Sequence, residues 1–309
     1  MSESNKGRAI LRLLISPVNS SDHARMETAL GQIASHQSSV NIKAQDGSYK
    51  LEGRTESDLD SVCDRIRDEF HLEINVGAPT AILLETIRKD AEAEGKYIRQ
   101  TGGSGNYGHC KLRVEPNEPG KGYEFINDIK GGVVPKEYIK PIDQGVQGAM
   151  ELGILAGLQM VDIKVTLIGG SYHDVDSNEM AFKFAGSIAF MEAARKASPV
   201  LLEPVMAIDI EVPEELAPAT QSEIYAHRGR IESSVIARGF MGLRAMVPLS
   251  ELLASSSGIA TCPMEFAGYE SVGGDGLPGE NGSGVTANKP SGPKPQTRFE
   301  AVRPESEDE

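Results

Sequence analysis

The chain has 309 residues, 39% hydrophobic and 25% charged, which suits two or three domains with real cores. A formal net charge of −14 excludes bulk attraction to nucleic acid, so any RNA contact has to come from a local patch. No apolar run approaches the roughly 20 residues that span a bilayer. The scattered Cys63, Cys110 and Cys262 make neither a disulfide framework nor a zinc motif, so a reduced, cytoplasmic setting is expected, with no membrane partner and no metal.

Ala9 to Ser16 reads as a buried strand, too short for a signal peptide and interrupted by Arg12. Met26, Ala29, Leu30 and Ile33 recur at helical spacing over Asp22 to Ala34, with Ser21 or Asp22 as the cap. Val40 to Ala44 and Tyr49 to Glu52 form a hairpin around Asp46-Gly47. A second helix carries Leu59, Val62, Ile66 and Phe70, and His71 to Val76 closes as a strand. The order β-α-β-β-α-β is that of a ferredoxin-like sandwich.

Ala81 to Ile87 and Tyr97 to Gln100 look extended, and Thr101 to Gly108 reads as a glycine-rich loop or mobile hairpin. Strands are expected at Lys111 to Glu115, Tyr123 to Ile129 and Val161 to Ile168, and a helix over Pro135 to Met150. The strongest helix is Ser177 to Lys196, capped by Ser177 or Asn178, with Met180, Phe184, Ser187, Ile188 and Met191 on one face. Pro199 and Pro204 bracket its exit. A second β-α-β-β-α-β order follows: Val205 to Val212, Pro218 to Arg228, Ile231 to Ala237, Leu243 to Val247, Leu249 to Ala254 and Thr261 to Phe266. Beyond Val272 the composition of Gly, Pro, Ser and charge predicts disorder.

Two clusters invite a chemical reading. Gly103 to Gly108 satisfies GxGxxG, but a strand-like stretch follows where a dinucleotide fold needs a helix N-terminus. Gly169 to Ser177 holds His173, Asp174 and Asp176, without a nucleophile context or a third distant metal ligand. Tyr107 has the chemistry to stack on a base, and His109 or Asn106 to hydrogen-bond one. From Lys96 to Asp143, eight Lys and Arg stand against six Asp and Glu, a local reversal of the chain's sign. No GxxxxGK[ST] sequence occurs, so GTP hydrolysis by this chain is not expected.

Arg99-Gln100-Thr101-Gly102-Gly103-Ser104-Gly105-Asn106-Tyr107-Gly108-His109 resembles the first tip loop of domain IV in elongation factor G. Gly131 to Ile139 and Gly170 to Lys183 resemble two further blocks of that domain, and Leu201 to Met206 resembles the entry to domain V. The resemblance covers about residues 7 to 272 and departs at Arg54 to Asp60, at Ser104 and Asn106, at His227-Arg228-Gly229 and in a shortened stretch after Leu253. It implies an α+β chain of two ferredoxin-like sandwiches (1–76, domain III-like; 204–272, domain V-like). These flank a ribosomal protein S5 domain 2-like domain (77–203, domain IV-like), with a disordered tail over 273–309.

The implied function is that of a ribosome-binding translation-factor-like protein, acting in or modulating elongation and translocation. It would have no GTPase activity, catalytic residue or cofactor of its own. The implied RNA-binding tip is Gly102, Gly103, Ser104, Gly105, Asn106, Tyr107, Gly108, His109, Ser171, Tyr172, His173 and Asp174. His227, Arg228, Gly229 and Arg230 are the implied contact with the large subunit. The implied partners are rRNA of the decoding and factor-binding regions and a separate GTPase subunit. Two other readings stay open: a kinase-like or other phosphate-binding enzyme on the S5 domain 2 fold, and a decayed fragment.

Overall fold

The computed structural model describes residues 7–101, 104–255 and 258–272. The predicted disorder beyond Val272 lies outside them. The described residues form an α+β arrangement of three sheets. None of their helices is long and apolar enough to cross a membrane.

The first sheet has the order β2-β3-β1-β4, built from β1 (Leu11–Pro17), β2 (Asn41–Gln45), β3 (Ser48–Gly53) and β4 (Ile74–Val76). Helices α1 (His23–His36) and α2 (Glu56–Asp68) bury the stripes that the spacing foretold, Met26, Ala29, Leu30 and Ile33 on one and Leu59, Val62, Cys63 and Ile66 on the other. Thr55 opens α2 with a capping box: its hydroxyl accepts from the Asp58 N–H at 3.1 Å, and the Asp58 carboxylate accepts from the Thr55 N–H at 3.2 Å.

The expected strand Ala81 to Ile87 is two strands serving two sheets. β5 (Thr80–Ala81) adds to β1, whereas β6 (Leu84–Ile87) pairs with Pro199–Leu202. The second sheet follows, in the order β7-β8-β10-β9: β7 (Ala91–Thr101), β8 (Ser104–Pro116), β9 (Glu124–Asn127) and β10 (Ile163–Ser171). Only the β9–β10 pair is parallel. Of the loop and hairpin readings of this stretch, the strand pairing favours the hairpin, with Ser104 to Gly108 in antiparallel ladder register with β7.

Helices α3 (Ile139–Leu152) and α4 (Glu179–Lys196) cover one face of this sheet. The face of α4 that enters the core is the small one, Ala181, Ala185, Gly186, Ala189, Ala193 and Ala194 around Phe182 and Phe190. Met180 and Phe184 stay 60% and 44% exposed, the Phe184 ring stacked on that of Tyr97 at 4.8 Å. Backbone proximity explains the choice. A Cβ on Gly95 would stand 2.0 Å from the Ala185 carbonyl oxygen, and one on Gly145 of α3 would stand 2.0 Å from that of Lys183. At such closeness larger side chains have no room.

The third sheet has the order β12-β13-β11-β14: β11 (Pro199–Pro213), β12 (Arg230–Ala237), β13 (Phe240–Pro248) and β14 (Met264–Ser271), with β6 also on β11. Helices α5 (Ala217–Ala226) and α6 (Leu249–Ala254) complete it. Pro199 and Pro204 do not bracket an exit, since both lie in the 15-residue β11. The ladder on one side of β11 passes from β6, ending at Leu202, to β13, starting at Val205, so Pro204 falls where that side makes no ladder bond. Residues of the first and third sheets share one apolar core, and the second sheet has its own.

Glu85, which no sequence pattern singled out, is fully buried on β6. Its carboxylate accepts four backbone N–H groups from the turn after α3: Ile154 at 2.5 Å, Leu155 at 2.9 Å, Ala156 at 2.8 Å and Leu158 at 3.1 Å. A buried charge survives when its lone pairs are satisfied in this way.

Candidate nucleic-acid interface

Pleat alternation decides what the second sheet shows to solvent. On β8, Gly108, Cys110, Leu112 and Val114 are buried toward the helices. Tyr107, His109, Lys111 and Arg113 therefore face away from them. On β7 the partners of this outer row are Ile98 opposite Tyr107, Lys96 opposite His109, Glu94 opposite Lys111 and Glu92 opposite Arg113. A bulge between Leu167 and Gly169 sets the end of β10 so that Ser171 stands opposite His109.

Two segments distant in sequence meet at this end. The Ser171 Oγ lies 2.7 Å from the Tyr107 hydroxyl and 2.7 Å from the His109 Nδ1. One assignment satisfies the two hydroxyls: Tyr107 donates to Ser171 and Ser171 donates to Nδ1 of His109, which leaves the buried Nε2 without a hydrogen-bond partner, 3.5 Å from the Glu94 carboxylate. The His173 ring lies 4.5 Å from the Tyr107 ring at a tilt of 52°. Tyr172, His173, Asp174 and Val175 are exposed.

The turn that carries His173 is held from beneath. The Ser177 hydroxyl accepts from the His173 N–H at 2.9 Å, and the Asp176 carbonyl accepts from the Tyr107 N–H at 2.8 Å. The Asp176 carboxylate accepts from the Gly105 N–H at 3.1 Å. Asn178 caps α4 by accepting from the Ala181 N–H at 2.9 Å, and donates to the Asn106 side chain at 2.7 Å. Asn178, one of the two caps the sequence offered, is thus the cap, while Asp176 and Ser177 tie the turn to β8 and to His173. Their run of short polar side chains before a helix was the signal for it.

Of the expected tip residues, Gly102 and Gly103 lie outside the described residues. Ser104 begins β8, followed by Gly105, Asn106, Tyr107, Gly108 and His109 on the same strand. Gly108 is buried against α4, where a Cβ would come 2.4 Å from the Ala181 carbonyl oxygen, so its part is packing. The GxGxxG stretch therefore runs into a strand and opens no helix, which leaves a phosphate cradle without support. Among the described residues, no group of three or more His, Cys, Asp and Glu is placed to hold a metal ion.

His227, Arg228, Gly229 and Arg230 stand at the α5–β12 turn, far along the chain from this end. Arg228 adopts φ +55° and gives its guanidinium to carboxylates. It donates to Glu203, itself buried, at 2.6 and 2.9 Å, and to Glu251 at 2.6 Å. These bonds push its pKa further up. Arg230 is paired with Glu270. The two arginines are engaged in holding this corner together.

Residues 79–198 match the family model described as Elongation factor G, domain IV. Residues 200–278 match the one described as Elongation factor G C-terminus. Over these two stretches the chain is similar to the domain IV and C-terminal parts of elongation factor G. Among solved structures, that of ttk003000868 from Thermus thermophilus is 33% identical and superposes with a TM-score of 0.66 over 86% of this chain. The chain spans 41% of the length of that protein.

Proposed function

We propose that the chain is a ribosome-binding, translation-factor-like protein that presents the free end of its second sheet to RNA in the decoding region. The observation that carries this reading is the convergence of two separate segments at one end of a rigid sheet. Tyr107, His109, Ser171 and His173 are tied together there, with the His173 turn left exposed. The likeness of residues 79–278 to elongation factor G supports it. The domains follow from the same reading: a ferredoxin-like 1–76, an S5 domain 2-like 77–203 and a ferredoxin-like 204–272. The tip comprises the Gly102 to His109 and Ser171 to Asp174 segments. The corner at His227 to Arg230 faces the large subunit through its outer edge. The protein acts without hydrolysing GTP itself and modulates elongation, alone or beside a separate GTPase.

Cosedimentation with ribosomes at low salt tests this. Binding is expected for the parent chain and a clear loss for His173→Ala, whose exposed ring can be removed without touching the core. Absence of parent binding, or equal binding by a His173→Ala, Tyr107→Ala double variant, would overturn the reading.

A further inference from the structure

Residue order picks out one apolar stripe on α4, Met180, Phe184, Ser187, Ile188 and Met191, and the core takes the opposite face. Phe182, Ala189 and Ala193 are buried toward the sheet. At about 100° per residue this turns Met180, Phe184 and Met191 outward, with Ile188 beside them. Met180 and Phe184 are exposed, and Ile188 and Met191 are half-buried. Tyr97, on the helix side of the edge strand β7, widens the stripe by stacking on Phe184. From Met180 to Met191 the stripe runs about three turns, or about 16 Å. A helix that is apolar all round is one that is covered all round. Here α3 and the second sheet cover one face and leave Met180 and Phe184 open.

The relief and the charge of the stripe name its occupant. Its anchors recur at spacings of three and four, and the small Ser187 leaves a gap between Phe184 and Met191, which is the relief a second helix packs into. Methionines give it a surface that adapts to different side chains. Lys183 and Lys196 on α4, and Arg99 two residues on from Tyr97 along β7, are exposed, and among the described residues none of the three stands within ion-pair distance of a carboxylate. Of the two acids on α4, Glu192 is held by Arg195 at 2.7 Å and Glu179 sits in the first turn, where the helix end satisfies it. The uncompensated charge beside the stripe is therefore positive and calls for an acidic partner. A second copy of the chain would bring the same cations against their own kind across a two-fold interface. An anionic membrane would meet a chain of net charge −14.

We propose that this stripe is a docking face for an acidic amphipathic helix of a partner protein, with Met180 and Phe184 as the anchors and Lys183 and Arg99 against its carboxylates. The inference stands apart from the ribosomal reading, since it uses the side of α4 and none of the expected tip residues.

The test uses the full chain and a fluorescein-labelled helical peptide of about 18 residues, with leucines at i, i+3, i+4 and i+7 and glutamates elsewhere, beside a counterpart with lysines for the glutamates. Anisotropy should show saturable binding of the acidic peptide and binding of the basic one that is weaker by about tenfold or more. Met180→Asp and Phe184→Asp are each expected to weaken the acidic peptide about tenfold. Lys183→Glu is expected to weaken it about threefold and to flatten its salt dependence. Met180 is the more exposed of the two anchors, so Met180→Asp should keep the parent melting temperature while losing the peptide. No binding of the acidic peptide, equal binding of the two peptides, or indifference to Met180→Asp would overturn the docking face. So would self-association that Met180→Asp abolishes, which assigns the stripe to a second copy, or cosedimentation with phosphatidylglycerol vesicles that it abolishes, which assigns the stripe to lipid. Ribosome cosedimentation of Met180→Asp is expected to match the parent. A loss there would place the stripe in the ribosomal contact and overturn a separate face.

Discussion

Glu85→Gln keeps the shape of the buried side chain and changes only its acceptors. In the parent, one carboxylate oxygen accepts the N–H groups of Ile154 and Leu155, and the other accepts those of Ala156 and Leu158. Glutamine retains one oxygen and turns an NH2 toward the other pair, so two buried donors lose their acceptor and meet a third donor. An orphaned buried donor costs about 1–3 kcal/mol. Relief from burying a charge offsets part of this, so the expected loss is about 2–5 kcal/mol. The loss falls first on the turn after α3, which these bonds pin to β6. Native-state hydrogen exchange reads it directly. The amides of Ile154, Leu155, Ala156 and Leu158 should exchange at least about 30-fold faster, while the α1 and α2 amides change little. Unchanged exchange at these four amides, with an unchanged denaturation midpoint, would refute the account of Glu85 as the anchor of this turn.

Two glycines on α3 should respond with opposite signs. Gly145→Ala places a Cβ 2.0 Å from the Lys183 carbonyl oxygen, so α3 and α4 must part; a loss above about 3 kcal/mol is expected by urea denaturation. Gly148 has nothing within 4 Å of that position, and Gly148→Ala should stabilise by up to about 1 kcal/mol by the same measurement. Thr55→Ala removes the capping box of α2 and should lower stability by about 1 kcal/mol, detectable as faster exchange in the first turn of that helix. Burial pushes the Cys110 thiol up to about 12, so the folded state holds its proton where the unfolded chain gives it up. Stability should be unaffected by this group below pH 9 and should decline as pH rises from 9 toward 12. Replacing Cys110 with alanine should flatten that part of the pH–stability profile. Cys110 should also resist alkylation at pH 8 until the chain unfolds.

Much of the fold was legible in residue order. The stripes of α1 and α2, the Asp46-Gly47 hairpin and the short α6 fell where spacing and turn chemistry put them. The errors share one origin. Met180 and Phe184 were placed with the apolar face of α4, yet the buried face is the alanines with Phe182 and Phe190, and Gly95, Gly145 and Gly186 mark the points where backbones approach too closely for a larger residue. For Thr101 to Gly108 the glycines left loop and hairpin both open, and the β7 ladder decides for strand pairing, with two of the glycines at strand positions that admit α4 and the Asp176 carboxylate. Glu85 carried no pattern at all, because its partners lie 69 to 73 residues away.

For the candidate site, residue order alone determined the two segments and their chemistry: a glycine-rich stretch with Tyr107 and His109, and a polar turn with His173 ahead of a capped helix. Only tertiary structure decided that these segments meet, that Ser171 bridges them, and that Ile98 and Lys96 stand beside them on a neighbouring strand. Periodicity and capping are local properties, set by residues within a few positions of one another. The pairing of strands, and the packing of a helix onto a sheet at backbone distance, are set by residues that approach only once the chain has folded.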